Sequence, residues 1–216
     1  VGSTPTISTE YPSAYLQTGS WDMDGGDYLN IGYDIDWNPI LGPTSAGGTA
    51  QMSIAMWVNL DSAPLFGSET LMYFGIDNVI VFRNSVNRIG LQTEWNGGAQ
   101  VYWLTDMTLD DYENEWMHFV ITYDANSTAN NAVIFINGSV VGSTEYGTAP
   151  AGTWDGIGTT GNICRIGPSI DGRLADVAVW NTILNGVEVQ NIYQAGAGLS
   201  NTNTIWPLGV GGALNG

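Results

Sequence analysis

Met52-Ser-Ile-Ala-Met-Trp-Val-Asn59 is the stretch that decides the fold. Met52, Ile54, Met56 and Val58 fall on one side of it, and Ala55 and Trp57 on the other. A period of two is the mark of a strand, because successive side chains point to opposite faces. Both faces carry apolar residues, so both read as partly buried.

Short strands repeat on either side of this one, at residues 28–31, 70–76, 79–83, 88–95, 100–104 and 117–123. Four more follow at 131–136, 139–143, 162–166 and 173–180. Asp77-Asn78, Asn96-Gly97-Gly98 and Asn137-Gly138 separate them. Asn-Gly between apolar runs is a strong hairpin signal, since both positions tolerate the left-handed backbone a tight turn requires. Many short strands with regular turns predict a sandwich or jelly roll. Residues 38–49 read as a Gly/Pro/Ser loop. Residues 185–196 break the pattern: Val189, Ile192 and Tyr193 recur at helical spacing and Gly196 supplies a C-cap. Residues 1–20 are rich in Ser, Thr and Pro and read as an extended arm. Residues 197–216 form a loose tail apart from Ile205-Trp206-Pro207-Leu208. The organisation is therefore an arm (1–20), one β-sandwich (21–196) and a tail (197–216), with no internal repeat of the core.

Composition agrees and also excludes. A chain of 216 residues suits one sizeable sandwich. Nine Trp and ten Tyr favour pleated surfaces. Four arginines and no lysine stand against 21 acidic residues, for a net charge of −17. That removes Schiff-base chemistry, the P-loop lysine and any basic groove, and it repels nucleic acid and anionic membrane surfaces. Solubility, in salty water for instance, and divalent-cation binding are the two readings of the acid. Cys164 is alone, so no internal disulfide forms; between Ile163 and Arg165-Ile166 it reads as a buried thiol in a strand. No apolar run reaches the ~18 residues of a membrane span, and no signal segment opens the chain. A start at Val1 implies a processed chain or a piece of a longer one.

The serial order of motifs resembles a known family. Asp24-Gly-Gly-Asp27-Tyr28-Leu29 resembles the opening D-G-x-D-Y-[VL] strand of laminin-G-like jelly rolls. The Met52–Val58 strand is similar to their F-T-I-S-A-W-V, Glu115-Trp116-Met-His118-Phe-Val-Ile-Thr-Tyr123-Asp124 to W-x-H-V-A-V-T-Y-D, and Ile134-Phe-Ile-Asn137-Gly138 to L-Y-V-N-G. Ile166-Gly167 matches an I-G strand. Asp171-Gly-Arg-Leu-Ala-Asp176-Val-Ala-Val-Trp180-Asn181 resembles the last core strand, and Glu188 to Tyr193 the closing helix. Trp206-Pro-Leu-Gly209 resembles a stretch that follows such domains in phage and surface proteins. The resemblance implies an all-β, concanavalin A-like jelly-roll β-sandwich of two antiparallel sheets with one short C-terminal helix.

Four constellations bear on chemistry. Asp111, Glu113 and Glu115 alternate, and on a strand would share a face; the glucanases of the resembled superfamily use E-x-D-x-x-E, a different spacing, and the position suits a loop edge. His118 lacks a nearby nucleophile and reads as a hydrogen-bonded structural histidine. Asp24, Asp27 and Asp176 fit a structural calcium site if the first and last core strands lie side by side, as in a jelly roll; the other reading has Asp176 capping a turn and the early aspartates in solvent. Asp34-Ile-Asp36 is a weaker second pair. Trp95, Asn96, Tyr102 and Trp103 flank a turn and suit a sugar platform, unless alternate members face the core. Asn126 and Asn137 head glycosylation sequons, although Asn137 is already explained by its turn.

Two classes of function follow. One is a lectin-like module that binds glycans outside the cell. The other, which the arms and the phage resemblance favour, is a non-catalytic structural module on a virion surface, a capsid decoration or fibre, whose terminal arms pair with other subunits or a homo-oligomer.

Overall fold

The computed structural model describes residues 6–8, 20–61, 64, 67–75, 79–95, 98–157 and 161–196. In chain order the strands are β1 (Thr6–Ser8), β2 (Ser20–Asp24), β3 (Leu29–Tyr33), β4 (Gln51–Leu60), β5 (Ser68–Phe74), β6 (Val79–Asn84) and β7 (Ile89–Trp95). They continue as β8 (Ala99–Thr105), β9 (Trp116–Asp124), β10 (Val133–Ile136), β11 (Ser139–Val141), β12 (Ser143–Gly147), β13 (Ile163–Ile166) and β14 (Asp171–Trp180). Two helices, α1 (Asp34–Leu41) and α2 (Gly186–Gly196), complete the described elements.

The strands form two antiparallel sheets, in the orders β1-β2-β14-β4-β9-β10-β11 and β12-β8-β7-β6-β5-β13-β3. This is the jelly-roll sandwich expected from the motifs. The core lies between the sheets. Met52, Ile54, Met56 and Val58 of β4, with Phe119, Ile121 and Tyr123 of β9, face Val79, Val81, Leu91, Trp95, Val101 and Trp103 of the second sheet. Polar groups buried with them are paired across the gap: Trp95 Nε1 donates to the Tyr123 hydroxyl at 3.1 Å. Trp103 meets the Tyr123 ring at a tilt, 4.6 Å between ring centroids. Strands β7 and β8 approach closely because residue 90 is glycine; a Cβ there would sit 1.8 Å from the Trp103 carbonyl oxygen.

The other face of β4 is buried as well, by α2. Ala55, Val120 and Phe135 form a second cluster with Leu184 and Val189. Ser53 Oγ donates to the Thr182 carbonyl and accepts from Leu184 N–H, which pins the approach to the helix. Asn185 caps it: its Oδ1 accepts from Val187 and Glu188 N–H, and Glu188 reaches back to Asn185 N–H. Tyr193 then stacks on Trp57 at 5.7 Å and lies 5.9 Å from His118.

The structure differs from expectation in four places. Residues 34–41 are helical rather than partly loop, and β2 precedes the strand expected first. The run 139–143 is two strands, split at Gly142 and belonging to different sheets. Thr6–Ser8 of the arm pair with β2 of the same sheet, Thr6 opposite Asp22. The rest of the arm up to residue 19, the turn residues 77–78 and 96–97, and the tail with Trp206 lie outside the described residues.

His118 is buried against Trp57 and Tyr193, and its ring Nδ1 lacks the hydrogen-bond partner expected of it. Burial holds its pKa at about 4, below the usual 6.5. The unfolded chain therefore takes up the proton first. Stability from neutral His118 is complete above about pH 7 and is lost as pH falls from 6.5 towards 4, to the extent of about 3 kcal/mol. Thermal unfolding of the native chain should fall more steeply over that window than that of His118→Leu; equal slopes would show that the buried ring does not titrate.

Candidate ligand-binding face

A sandwich has two outer faces. The centre of the outer face of the first sheet is occupied by α2. No described helix or strand covers the outer face of the second.

Strand alternation determines what that open face presents. In β5, Met72 and Phe74 point into the core and Tyr73 points out. In β13, Cys164 and Ile166 point in and Arg165 out. Cross-strand partners share a face. The registers pair Tyr146 with Tyr102, Tyr102 with Gln92, Gln92 with Ile80, and Ile80 with Tyr73. Tyr73 then pairs with Arg165, and Arg165 with Asn30. One continuous row thus crosses all seven strands, over about 29 Å at ~4.8 Å per strand.

The row is held in place locally. The Tyr102 hydroxyl donates to Gln100 Oε1 at 2.8 Å, and Phe82 meets the Tyr102 ring edge-on at 6.1 Å. Gln100 Nε2 donates to Glu94 Oε1 at 3.3 Å. The Tyr146 hydroxyl accepts from Arg88 at 3.1 Å. At the far end the Arg165 guanidinium lies over Tyr28, 4.2 Å from the ring centroid, with Tyr73 at 5.8 Å. Burial raises the Tyr73 pKa against the pull of Arg165, so the phenol stays neutral at ordinary pH. The partly exposed rings of Tyr146, Tyr102 and Tyr73 thus share one surface with the amides of Gln92 and Asn30.

Of the four residues expected to form a sugar platform, only Tyr102 is placed on this face. Trp95 and Trp103 are corrected: they are 2% and 1% exposed, with Trp103 Nε1 donating to Asn131 Oδ1. They face the core because they occupy the inward phase of β7 and β8, and core tryptophans cannot stack on a ligand. Asn96 lies outside the described residues. Tyr73, Gln92, Arg165 and Tyr146 were missed, although the inward phase of Met72/Phe74 and Cys164/Ile166 already implied that the residues between them point outward.

The expected calcium residues are also not brought together. The strand expected first, at 28–31, is β3 of the second sheet, whereas Asp176 is on β14 of the first; β14 neighbours β2 instead, where the register sets Asp24 opposite Asp171. Asp176 is five residues further along, about 16 Å away at strand rise, and sits in a bulge with φ +49°. Asp24 is exposed and Asp27 buried. Among the described residues no three acidic, His or Cys side chains gather as a cation site. Asp34 is committed to structure, accepting from Gly161 N–H at 2.8 Å, and Asp36 accepts from Tyr33 N–H.

Asp111, Glu113 and Glu115 do not share a strand face, since Asp110–Tyr112 form a 3-10 turn. Glu113 instead accepts from the Asn87 amide, as does Asp110. The depression that Glu113 and Glu115 border with Leu60, Arg83 and Tyr112 has no room for a water molecule.

A family model described as the concanavalin A-like lectin/glucanases superfamily, of the laminin G type, matches residues 24–190. The chain belongs to this superfamily. No curated protein matches it. Solved structures that it resembles include the receptor-binding domain of botulinum neurotoxin type G, at 19% identity and TM-score 0.60, over 90% of this chain and 45% of that one. The binding domain of Paraclostridial mosquitocidal protein 1 is similar at 13% identity and TM-score 0.64, over 90% and 46%. At these identities the likeness is one of fold. The superfamily chain described here spans less than half of each neighbour's length.

The two placements separate on stability. Trp103→Ala should lose about 3–5 kcal/mol in urea unfolding, and Tyr102→Ala no more than about 1 kcal/mol. A Trp103→Ala chain with the native midpoint would return that residue to the surface.

Proposed function

We propose that this chain is a non-catalytic recognition module, working outside the cell or on a particle surface, that binds carbohydrate along the open face of its second sheet. The observation that carries this reading is the row Tyr146, Tyr102, Gln92, Ile80, Tyr73, Arg165 and Asn30. Aromatic rings offer apolar area to the flat faces of sugars, and amides between them suit hydroxyl groups. Tyr102 and Tyr73 are three strands apart, about 14 Å, a spacing that suits an oligosaccharide more than a single sugar. The neighbours described as receptor-binding and binding domains support a recognition role for the fold. A net charge of −17 speaks against nucleic acid and anionic lipid surfaces as partners, and among the described residues no helix is long and apolar enough to cross a membrane.

Assembly into a virion or another particle through terminal arms is the second reading. Its support is the polar composition of residues 1–20. The part of that arm described here, Thr6–Ser8, is used within its own sheet.

Binding to a glycan array tests the first reading. The double variant Tyr73→Ala/Tyr102→Ala should lose at least about tenfold in affinity while unfolding at the native temperature. Undiminished binding would place the site elsewhere.

A further inference from the structure

Arginine is the scarcest resource of this chain, with four residues against 21 acids. Three of the four are engaged by other side chains. Arg83 is fully buried against Glu69 and donates to the Asp61 carbonyl. Arg173 lies 3.6 Å from Asp22. Arg88 donates to the Tyr146 hydroxyl. Arg165 is different. Its described neighbours are rings: Tyr28 at 4.2 Å and Tyr73 at 5.8 Å. Its Nε is buried and makes no hydrogen bond, and the same holds for the Nε of Arg88 and of Arg173; what sets Arg165 apart is that its described contacts are aromatic faces. Among the described residues, no carboxylate pairs with this guanidinium.

We infer that Arg165, held against the rings of Tyr28 and Tyr73, receives an anionic group of the ligand, so that the open face selects acidic glycans, carrying a carboxylate or a sulfate ester, over neutral ones. The inference rests on the reading of this face as a carbohydrate site. Aromatic packing orients a guanidinium and leaves its edge for a planar or tetrahedral oxyanion, which it binds through two parallel N–H···O bonds. The row of Tyr73, Ile80, Gln92 and Tyr102 leads directly to it, so a sugar chain stacked on the row brings a substituent to the guanidinium. The surrounding acid works against an anionic ligand, so the preference depends on Arg165. A negative ligand approaches an acidic protein against its field, and only a position with an unneutralised cation offsets that repulsion. Asn30, paired with Arg165 on β3, adds a polar neighbour on the same face, although its Oδ1 already accepts from Gly32 N–H.

The test uses an array carrying matched neutral, carboxylated and sulfated forms of the same oligosaccharides, probed with the native chain, Arg165→Gln and Arg165→Lys. The native chain should bind at least one acidic form about tenfold or more tighter than its neutral parent, and that preference should shrink as salt rises. Arg165→Gln should bind both forms alike. Arg165→Lys, which keeps the charge and loses the fork, should retain only a few-fold preference, and serves alone if Arg165→Gln unfolds at a lower temperature. The carboxylated and sulfated arms tell which oxyanion is preferred. Equal native binding of acidic and neutral forms, or a preference that survives in Arg165→Gln, overturns the inference and leaves the carbohydrate face standing. Absence of binding to every glycan on the array overturns the reading of the face and this inference with it.

Discussion

The packing of α2 on the outer face of the first sheet is the constraint on which the rest of the molecule depends. It makes β4 and β9 strands buried on both sides, so they can be apolar in both phases, which is what Met52 to Asn59 records. It also covers the centre of one of the two outer faces, over β4, β9 and β10, while Val140 of β11 and Asp22 of β2 stay exposed. The Asn185–Glu188 cap and the Ser53 bonds to residues 182 and 184 fix where the helix lands. With the centre of that face covered, the second sheet offers the broader continuous surface.

The inner packing keeps that second sheet in shape. Trp95 and Trp103 look, from sequence, like surface aromatics beside a turn. In the fold they clasp Tyr123 of the opposite sheet, one by a hydrogen bond and one by ring contact. Trp154 adds a bond to Thr93 Oγ1 at 2.7 Å, again from below the open face. Because the large rings anchor the odd phase of β7 and β8, the even phase, Gln92 and Tyr102, is held at a defined height above them. Rigid support of this kind matters for a recognition surface, since ordering loose side chains on binding costs affinity.

How much of this could be read beforehand depends on range. Most local signals were sound: the longer strand runs, the Asn137-Gly138 turn (φ +49° and +78°) and the closing helix are where period and turn chemistry put them, while β2 and the split at Gly142 were not foreseen. Helix α1 was hidden by Pro39 inside it and by glycines on either side, which read as loop. The sites needed long-range facts. A period of two says that Trp95, Trp103 and residues two apart share a side, but not which side is the core, when both phases carry aromatic residues. The expected calcium site took the strand at 28–31 and the last strand as neighbours, but these are β3 and β14, in different sheets; β2, not expected from the sequence, is the neighbour of β14. The register, which no local pattern encodes, puts Asp171 opposite Asp24 instead.

Charge then gives the face its character. The buried arginine, Arg83, is neutralised by Glu69, whose own burial works against the pairing and raises its carboxyl pKa. That pair consumes a cation in the interior, where leaving either partner alone would be costly. Asp171 feels Asp61, Asp24 and Asp22, so burial and repulsion raise its pKa too, and the acid at that sandwich end is crowded. Arg165 lies in a different setting, on β13 beside β3 and among tyrosines, with no ion pair among the described residues. Cation–π contact is compatible with a second, ionic partner in a way that a salt bridge is not, because the ring occupies the guanidinium face and not its donors. The arrangement therefore stabilises the arginine in the free protein without spending its hydrogen bonds, which is the physical requirement for an anion site that is both preformed and unfilled.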